Sequence, residues 1–323
     1  SVNSKYFVSC ASGTEALFLA LIASNKVKPG DAIIVPSFTF ASTAEIVTWF
    51  GCIPIFADVS EKTFNITYSS IYDTFSKFNQ KYNIKAVISV DIFGNPCDYK
   101  EISKFCSENK LLFISDGAQS LGSKIGNNYT CNLVDFYCTS FFPTKPLGCY
   151  GDGGGIFVKS KKIFDKLKSL RAHGKGKQKY QYNYVGMNSR LDAIQASILN
   201  IKIKIFDIEI KNRNINRSFY MENLDSRYKH QFINSNYTSS VALFSLLTPN
   251  TNSQKNIMNK LKNLNIDSGI YYPIPLHKTK AYKNFPRNKL NITEYLSKKI
   301  ISIPCHAYLK RNDLQNICSI INS

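Results

Sequence analysis

The sequence predicts an α/β protein with a mostly parallel central sheet and a smaller C-terminal α+β domain. Residues 6–158 alternate short apolar strands with helical stretches, which is typical of a parallel sheet covered on both faces. Small or polar residues directly follow several of these strands. A long amphipathic stretch then begins at Leu191. We therefore expect a large domain at residues 1–205 and a small domain at residues 206–323.

The composition limits the possible partners. Basic residues number 41 and acidic residues 22, a net charge of +19, but the lysines are dispersed and form no dense run. We therefore expect no nucleic-acid partner, although the positive field would steer an anionic substrate. No apolar stretch is long enough to span a membrane, so a soluble chain is expected. Nine scattered cysteines without a CxxC pair favour a reducing cytoplasm over disulfides or a metal site.

The first predicted strand, residues 6–10, leads into a small-residue turn. That turn, Ala11-Ser-Gly-Thr-Glu15, precedes an apolar helical run at residues 16–23. A helix start presents free backbone amides and the positive end of the helix dipole, which together bind anions. Gly13 and Thr14 are therefore predicted to bind a phosphate.

Two later strands are followed by residues whose side chains could take part in binding or catalysis. The strand at residues 32–35 runs into Pro36-Ser-Phe-Thr-Phe40, which places the aromatic Phe40 at the strand end. Strands at residues 54–57 and 86–90 follow. The strand at residues 111–114 then leads to Asp116 and Gln119. Open α/β sheets bind ligands at the carboxyl ends of their strands, so we expect Asp116 at a ligand site.

The most informative segment follows the strand at residues 134–137. Ser140-Phe-Phe-Pro-Thr-Lys145-Pro is succeeded by a glycine-dense loop. Prolines on both sides of Lys145 fix the backbone φ and direct the amine, and Ser140 supplies a hydroxyl for an anion. A desolvated lysine beside an anion site suggests Schiff-base chemistry. The alternative is a solvated turn lysine.

Together these residues match one cofactor. Gly13, Thr14 and Ser140 would bind a phosphate, and Phe40 offers an aromatic face. Asp116 supplies a carboxylate and Lys145 an amine. Pyridoxal phosphate needs a lysine for its aldehyde and a carboxylate for its ring nitrogen, so it is the expected cofactor.

The second half of the chain begins with the amphipathic stretch. Isoleucines between residues 194 and 208 step by four and three, which predicts one long helix with an apolar face in the core. The small domain is expected to contain a strand at residues 241–247, a helix at residues 254–264 and a strand at residues 270–272.

Eight segments, in one order and over nearly the whole chain, resemble the DegT/DnrJ family of sugar aminotransferases, pyridoxal-phosphate enzymes of fold type I. They are Ser12-Gly-Thr-Glu-Ala-Leu17, Val35-Pro-Ser-Phe-Thr-Phe40, Asp91-Ile-Phe-Gly94, Asp116-Gly-Ala-Gln119, Ser140-Phe-Phe-Pro-Thr-Lys145, Arg171-Ala-His-Gly174, Gly186-Met-Asn-Ser-Arg-Leu-Asp192 and Tyr272-Pro-Ile-Pro-Leu-His277. Family members usually carry a few helical turns before the first strand, so we expect the N-terminus at Ser1 to be truncated.

The resemblance implies roles for the residues. Lys145 would bind the cofactor's aldehyde and then move a proton during transfer. Asp116 would keep the ring nitrogen protonated, Phe40 would stack on the ring, and Gln119 would contact the ring or its 3-oxygen. The alternatives are a helix N-cap for Asp116 and core packing for Phe40.

The resemblance also implies a homodimer with shared active sites, because the family's residue matching Asn188 reaches the phosphate of the neighbouring subunit. The alternative for Asn188 is a helix N-cap. His173, Arg190 and His277 are candidate substrate contacts. Solvated loop histidines are common, however, and Arg190 has a possible ion-pair partner in Asp192.

Three segments are similar to one branch of the family, which acts on UDP-2-acetamido-2-deoxy-3-oxo-glucuronate in surface-polysaccharide (O-antigen) synthesis. They are residues 142–150, 173–180 and 303–309. The resemblance implies a 3-amino product and glutamate as donor. The alternative substrate is a dTDP- or UDP-linked 3- or 4-keto-6-deoxysugar, and the non-enzyme alternative is a pyridoxal-phosphate-binding regulator. Sugar 3-dehydratases of this fold have histidine in place of Lys145, which argues against that activity.

Overall fold

The computed structural model describes residues 2–323. The helices are α1 (Gly13–Ser24), α2 (Ser42–Trp49), α3 (Tyr68–Phe78), α4 (Tyr99–Glu108), α5 (Lys161–Leu170), α6 (Ala193–Lys202), α7 (Phe206–Asn223), α8 (Thr251–Asn263), α9 (Asn291–Lys299) and α10 (Arg311–Asn322). The strands are β1 (Tyr6–Cys10), β2 (Ala32–Pro36), β3 (Ile53–Ala57), β4 (Ile84–Val90), β5 (Leu112–Asp116), β6 (Lys124–Ile125), β7 (Asn128–Tyr129), β8 (Phe136–Ser140), β9 (Gly154–Val158), β10 (Lys229–His230), β11 (Tyr237–Thr238), β12 (Phe244–Leu247) and β13 (Ile300–Ile303). The predicted α/β class is confirmed.

The central sheet has seven strands in the order β1-β9-β8-β5-β4-β2-β3. Strands β2, β3, β4, β5 and β8 pair in parallel, whereas β9 runs antiparallel to both of its neighbours, β1 and β8. Six strands therefore end at the same edge of the sheet. This edge brings the polar residues that follow β1, β2, β5 and β8 into one region.

Apolar layers cover both faces of the central sheet. One layer contains Leu17 of α1, Val47 of α2 and Leu167 of α5. The opposite layer contains Ile71 of α3 and Ile102 of α4. Helix α1 is apolar around most of its circumference, and this suits a helix buried between a sheet and other helices. Its position fixes where its N-terminus meets the strand ends.

The single long helix predicted around residues 191–208 is interrupted. Helix α6 ends at Lys202, a turn covers residues 203–205, and α7 begins at Phe206. Phe206 and Ile210 pack into the core beside the central sheet. The predicted domain boundary at 205/206 coincides with this interruption but stays a prediction.

The prediction that the isoleucine stripe packs in the core is wrong. Ile194, Ile201 and Ile208 are 73%, 68% and 61% exposed, whereas Leu199 and Phe206 are buried. The two helices have apolar residues on more than one side, so sequence periodicity alone did not identify the face that packs inward. The stripe is an apolar surface of the single chain.

The small domain is built on the antiparallel sheet β10-β12-β13. The predicted strand at residues 241–247 is present as β12, and the predicted helix at 254–264 is present as α8. The strand predicted at residues 270–272 is wrong, because only the preceding Gly269 pairs with β13, in a single bridge to Ser302. Tyr272 packs edge-on against Phe38, beside the end of β2.

Several features concern the compartment and metal predictions. All nine cysteines are buried free thiols. Across residues 2–323, no cluster of three or more His, Cys, Asp or Glu side chains is arranged to hold a metal ion. None of the helices in that range combines the length and the apolar character required to cross a membrane.

Candidate active site

The predicted phosphate residues meet at the start of α1. The Ser12 side chain caps the helix by accepting a hydrogen bond from the Glu15 amide at 3.1 Å. The helix start leaves other first-turn amides, including those of Gly13 and Thr14, without partners inside the helix. A Cβ on Gly13 would lie 2.7 Å from the Ser140 Cβ. Glycine is thus required for the close approach that brings Ser140 to this cradle of amides.

Asp116 ends β5 and is 4% exposed. Its Oδ2 accepts a hydrogen bond from Thr43 Oγ1 at 2.9 Å, and its Oδ1 accepts one from the Ala118 amide at 3.2 Å. Burial raises the pKa of Asp116, and these two donors and nearby Lys145 only partly offset the effect. Residues 117–120 form a turn and not a helix, so the helix N-cap alternative for Asp116 is wrong.

Thr43 is a site residue that the sequence analysis missed. It is fully buried, and its only hydroxyl proton goes to Asp116. The hydroxyl of Thr39, 3.1 Å away, must therefore donate to Thr43. The donor order Thr39 to Thr43 to Asp116 favours the carboxylate form of Asp116. Both threonines follow β2, and polar residues after a strand are the signal that would have identified them.

Lys145 lies in a tight turn after β8. Its amide donates to the Phe142 carbonyl at 2.9 Å, and its side chain is half-buried. Burial lowers the pKa of Lys145, and the charge of Asp116 partly restores it. The partial burial of the Lys145 side chain argues against the alternative of a solvated turn lysine. Burial thus raises the pKa of Asp116 and lowers the pKa of Lys145, so it favours the neutral form of both side chains.

Phe40 is 60% exposed at the end of β2, so the core-packing alternative is wrong. Its ring centroid lies 6.4 Å from that of Tyr272. Gln119 is already held by the protein, since its Oε1 accepts from the Phe93 amide at 2.6 Å and its Nε2 donates to the Tyr272 hydroxyl at 3.2 Å. Tyr272, which sequence analysis did not assign to the site, therefore orients Gln119.

The segment with Asn188 and Arg190 contacts the turn before α1 through the intervening Ser189. Both side chains are exposed. Helix α6 begins at Ala193 with Asp192 as its N-cap residue, so the helix-cap alternative for Asn188 is wrong. Within residues 2–323, Arg190 forms no ion pair with Asp192. Among the described residues, neither side chain forms a hydrogen bond or an ion pair with Asp116 or Lys145.

The two predicted substrate histidines differ in their surroundings. His173 is exposed, has a φ of 65° and donates its amide to the Met187 carbonyl at 2.9 Å. His277 is buried, with Nδ1 at 2.7 Å from the Ser37 hydroxyl and Nε2 at 3.2 Å from a Glu294 carboxylate oxygen. Burial lowers the pKa of His277, although Glu294 partly offsets this. Both ring nitrogens are therefore occupied, and the structure leaves none for a substrate.

Comparisons with known proteins agree with this arrangement. The sequence profile of the DegT/DnrJ/EryC1/StrS aminotransferase family matches residues 1–322. The chain is 33% identical over 324 aligned residues to UDP-2-acetamido-2-deoxy-3-oxo-D-glucuronate aminotransferase of Pseudomonas aeruginosa, covering 100% of this chain and 87% of that protein. It is also 33% identical to UDP-N-acetyl-3-dehydro-alpha-D-glucosamine 3-aminotransferase of Acidithiobacillus ferrooxidans, over 97% of this chain and 83% of that protein.

A solved structure gives the same result for the fold. A DegT DnrJ EryC1 StrS aminotransferase from Brucella abortus superposes with a TM-score of 0.94 at 35% identity. The superposition covers 99% of this chain and 86% of that one. The whole described arrangement of large and small domains is therefore similar to that enzyme.

The role of Thr43 is testable through pH. Thr43→Val keeps the shape but removes the donor to Asp116, so the pKa of that buried carboxyl should rise further. An acid with a raised pKa stabilises the fold at low pH and loses this contribution as the pH rises through the folded-state pKa. Relative to Thr43→Ser, we expect the valine variant to lose about 1.5–3 kcal/mol at about pH 8, and less at about pH 5.

Thermal denaturation of both variants, free of small-molecule ligands, measures this difference. The serine variant is the matched control because it keeps a hydroxyl at the same position. A stability gap that stays constant between the two pH values would show that the Thr43 hydroxyl does not act on the ionisation of Asp116.

Proposed function

We propose that this chain, which belongs to the DegT/DnrJ/EryC1/StrS aminotransferase family, uses pyridoxal phosphate to convert the keto group of a nucleotide sugar into an amine. The substrate that we favour is UDP-2-acetamido-2-deoxy-3-oxo-glucuronate, with glutamate as the amino donor. The 3-amino product would enter surface-polysaccharide synthesis, such as that of an O-antigen, from the cytoplasm.

One observation carries this proposal. Asp116 and Lys145 lie at the same sheet edge, and burial disfavours the charged form of both. A buried carboxylate with only two hydrogen-bond donors leaves acceptor capacity for a cation. The protonated ring nitrogen of pyridoxal phosphate is such a cation. The residues therefore fit this cofactor.

The remaining residues fit the other parts of the same molecule. The amides of Gly13 and Thr14 and the hydroxyl of Ser140 would bind the phosphate at the positive end of α1. The exposed ring of Phe40 would cover one face of the pyridine ring. Gln119, oriented by Tyr272, has one further Nε2 hydrogen to donate to the 3-oxygen.

When bound, pyridoxal phosphate supplies an aldehyde and a ring that accepts electrons. Asp116 would hold the proton on the ring nitrogen. Lys145 Nζ, whose pKa is lowered by burial, would be able to accept the proton that leaves Cα of the amino donor. The same nitrogen would then return a proton to the sugar carbon that receives the amine.

The proposed sugar is based on the names of two similar proteins and on the positive charge of one loop. Two of the similar proteins are named as aminotransferases that act at C3 of UDP-linked N-acetylated sugars. The exposed lysines of the loop at residues 171–179 suit a substrate with a diphosphate and a carboxylate. A dTDP- or UDP-linked 3- or 4-keto-6-deoxysugar is the second candidate, because a dTDP-linked deoxyaminosugar transaminase is also similar over 99% of the chain.

A homodimer with shared sites is part of the proposal. Asn188 is exposed, whereas the next side chain, Ser189, is fully buried against its own chain. The exposed side chain of Asn188 is thus accessible to another subunit. The exposed isoleucine stripe on α6 and α7 is the kind of apolar surface that a partner covers. We propose that, in this dimer, Asn188 reaches the cofactor phosphate bound by the partner subunit.

The reaction is tested by a panel of 3-keto and 4-keto nucleotide sugars, with glutamate as donor and mass spectrometry as the readout. We expect amination of the UDP-linked 3-oxo-glucuronate and no turnover by Lys145→Ala. Borohydride reduction of the wild-type protein should attach the cofactor to Lys145. Attachment to another lysine, or the absence of any aminated sugar, would refute the assignment.

The shared site is tested by mixing subunits. A heterodimer of Asn188→Ala and Lys145→Ala subunits should regain activity, because one of its sites then contains both native residues. The two mutant homodimers are the controls. If purified heterodimers remain as inactive as the homodimers, Asn188 acts within its own subunit and the shared-site proposal fails.

A further inference from the structure

Ser189 is hydrogen-bonded to the turn that leads into the phosphate cradle. Its side chain is fully buried, and its Oγ accepts from the Ala11 amide at 3.2 Å. The same Oγ donates to the carboxylate of Glu15. Ala11 and Glu15 are on either side of Gly13 and Thr14. Ser189 therefore connects the two ends of the segment proposed to bind the phosphate. We call the hydrogen bonds of Ser189 with Ala11 and Glu15 the bridge.

Arg171 makes a second attachment between the same two segments. Its Nη1 donates to the Ser9 carbonyl at 2.6 Å and to the Ser9 hydroxyl at 2.7 Å. Its carbonyl accepts from the Ser189 amide at 2.8 Å. The strand-like pairing of Ala172 with Asn188 continues this contact. The segment containing Asn188 is thus fixed to the end of β1 by several hydrogen bonds.

The bridge connects the residues proposed to bind the phosphate to the segment that carries Asn188. Successive side chains of an extended segment point in opposite directions, so the inward contact of Ser189 sets the outward direction of Asn188. A movement of the cradle amides of Gly13 and Thr14 would displace Ser189, and with it Asn188.

We infer that Ser189 and Glu15 are positioning residues that couple cofactor occupancy at the two sites of the dimer. This inference rests on the proposed function, in which Asn188 serves the partner's phosphate. Phosphate bound in one cradle would fix the amides of residues 11–15 in their binding arrangement, and the bridge would then fix Asn188. The partner site would be preorganised, so its cofactor would bind more tightly.

The coupling is measurable in the full-length dimer carrying Lys145→Ala, in which pyridoxal phosphate binds reversibly. Calorimetric titration with pyridoxal phosphate should show that the second molecule binds about fivefold or more tightly than the first, as is typical of coupled sites. Adding Ser189→Ala removes both bridge hydrogen bonds, so the two sites should become independent. Ser24→Ala, at the opposite end of α1, is the matched control and should keep the cooperativity. Like Ser189, Ser24 makes two side-chain hydrogen bonds, but both are local, to the Leu21 carbonyl and from the Lys26 amide.

Glu15→Gln provides a second variant in case Ser189→Ala does not fold. The amide is a weaker acceptor for the Ser189 hydroxyl, so cooperativity should fall while the dimer and its fold persist. Unchanged cooperativity in both bridge variants, or independent binding in the parent dimer, would overturn the inference.

Asn188→Ala in the same background tests the shared site separately from the bridge. If it weakens binding and removes cooperativity, both the shared site and the route through the bridge are supported. If it weakens binding while the bridge variants retain full cooperativity, only the bridge is rejected. If it binds pyridoxal phosphate as tightly as the parent does, the shared site itself is rejected.

Discussion

The buried carboxylate of Asp116 is the constraint on which the rest of the site depends. Its position at the end of β5, in the middle of the central sheet, follows from the parallel pairing of β4, β5 and β8. Burial opposes its charge, and the donors from Thr43 and Ala118 compensate only in part. A chain that maintains such a group has a stability cost that a bound cation would offset. We infer that this uncompensated charge suits the site to a cofactor with a protonated ring nitrogen.

The proposed homodimer rests on what a single chain leaves exposed. The amide cradle, Asp116 and Lys145 share one sheet edge, whereas Asn188 and an apolar stripe on α6 and α7 are exposed. A two-fold dimer would cover such a stripe and exchange such a residue reciprocally. In the proposed dimer, the hydrogen bonds of Ser189 would connect the cradle of one subunit to the Asn188 that this subunit offers to its partner.

Much of the site followed from local sequence patterns, because strand periodicity and turn chemistry fix where parallel strands end. Lys145, Asp116, Phe40 and Ser140 were predicted in this way, and the strand order places them at one sheet edge. Thr43 was missed because its contact with Asp116 spans 73 residues. The isoleucine stripe and the strand at residues 270–272 were misassigned, since periodicity does not reveal which apolar face packs inward or which strands pair.

The most direct test of the central claim compares wild type and Asp116→Asn by thermal denaturation, with and without pyridoxal phosphate. Because the variant lacks the buried charge, we expect the cofactor-free variant to be at least as stable as the cofactor-free wild type. Pyridoxal phosphate should stabilise the wild type far more than the variant. An affinity about a hundredfold weaker in the variant would reduce the stabilisation by about 2.7 kcal/mol. Equal stabilisation of both proteins by pyridoxal phosphate would contradict the account, because Asp116 would then not interact with the cofactor.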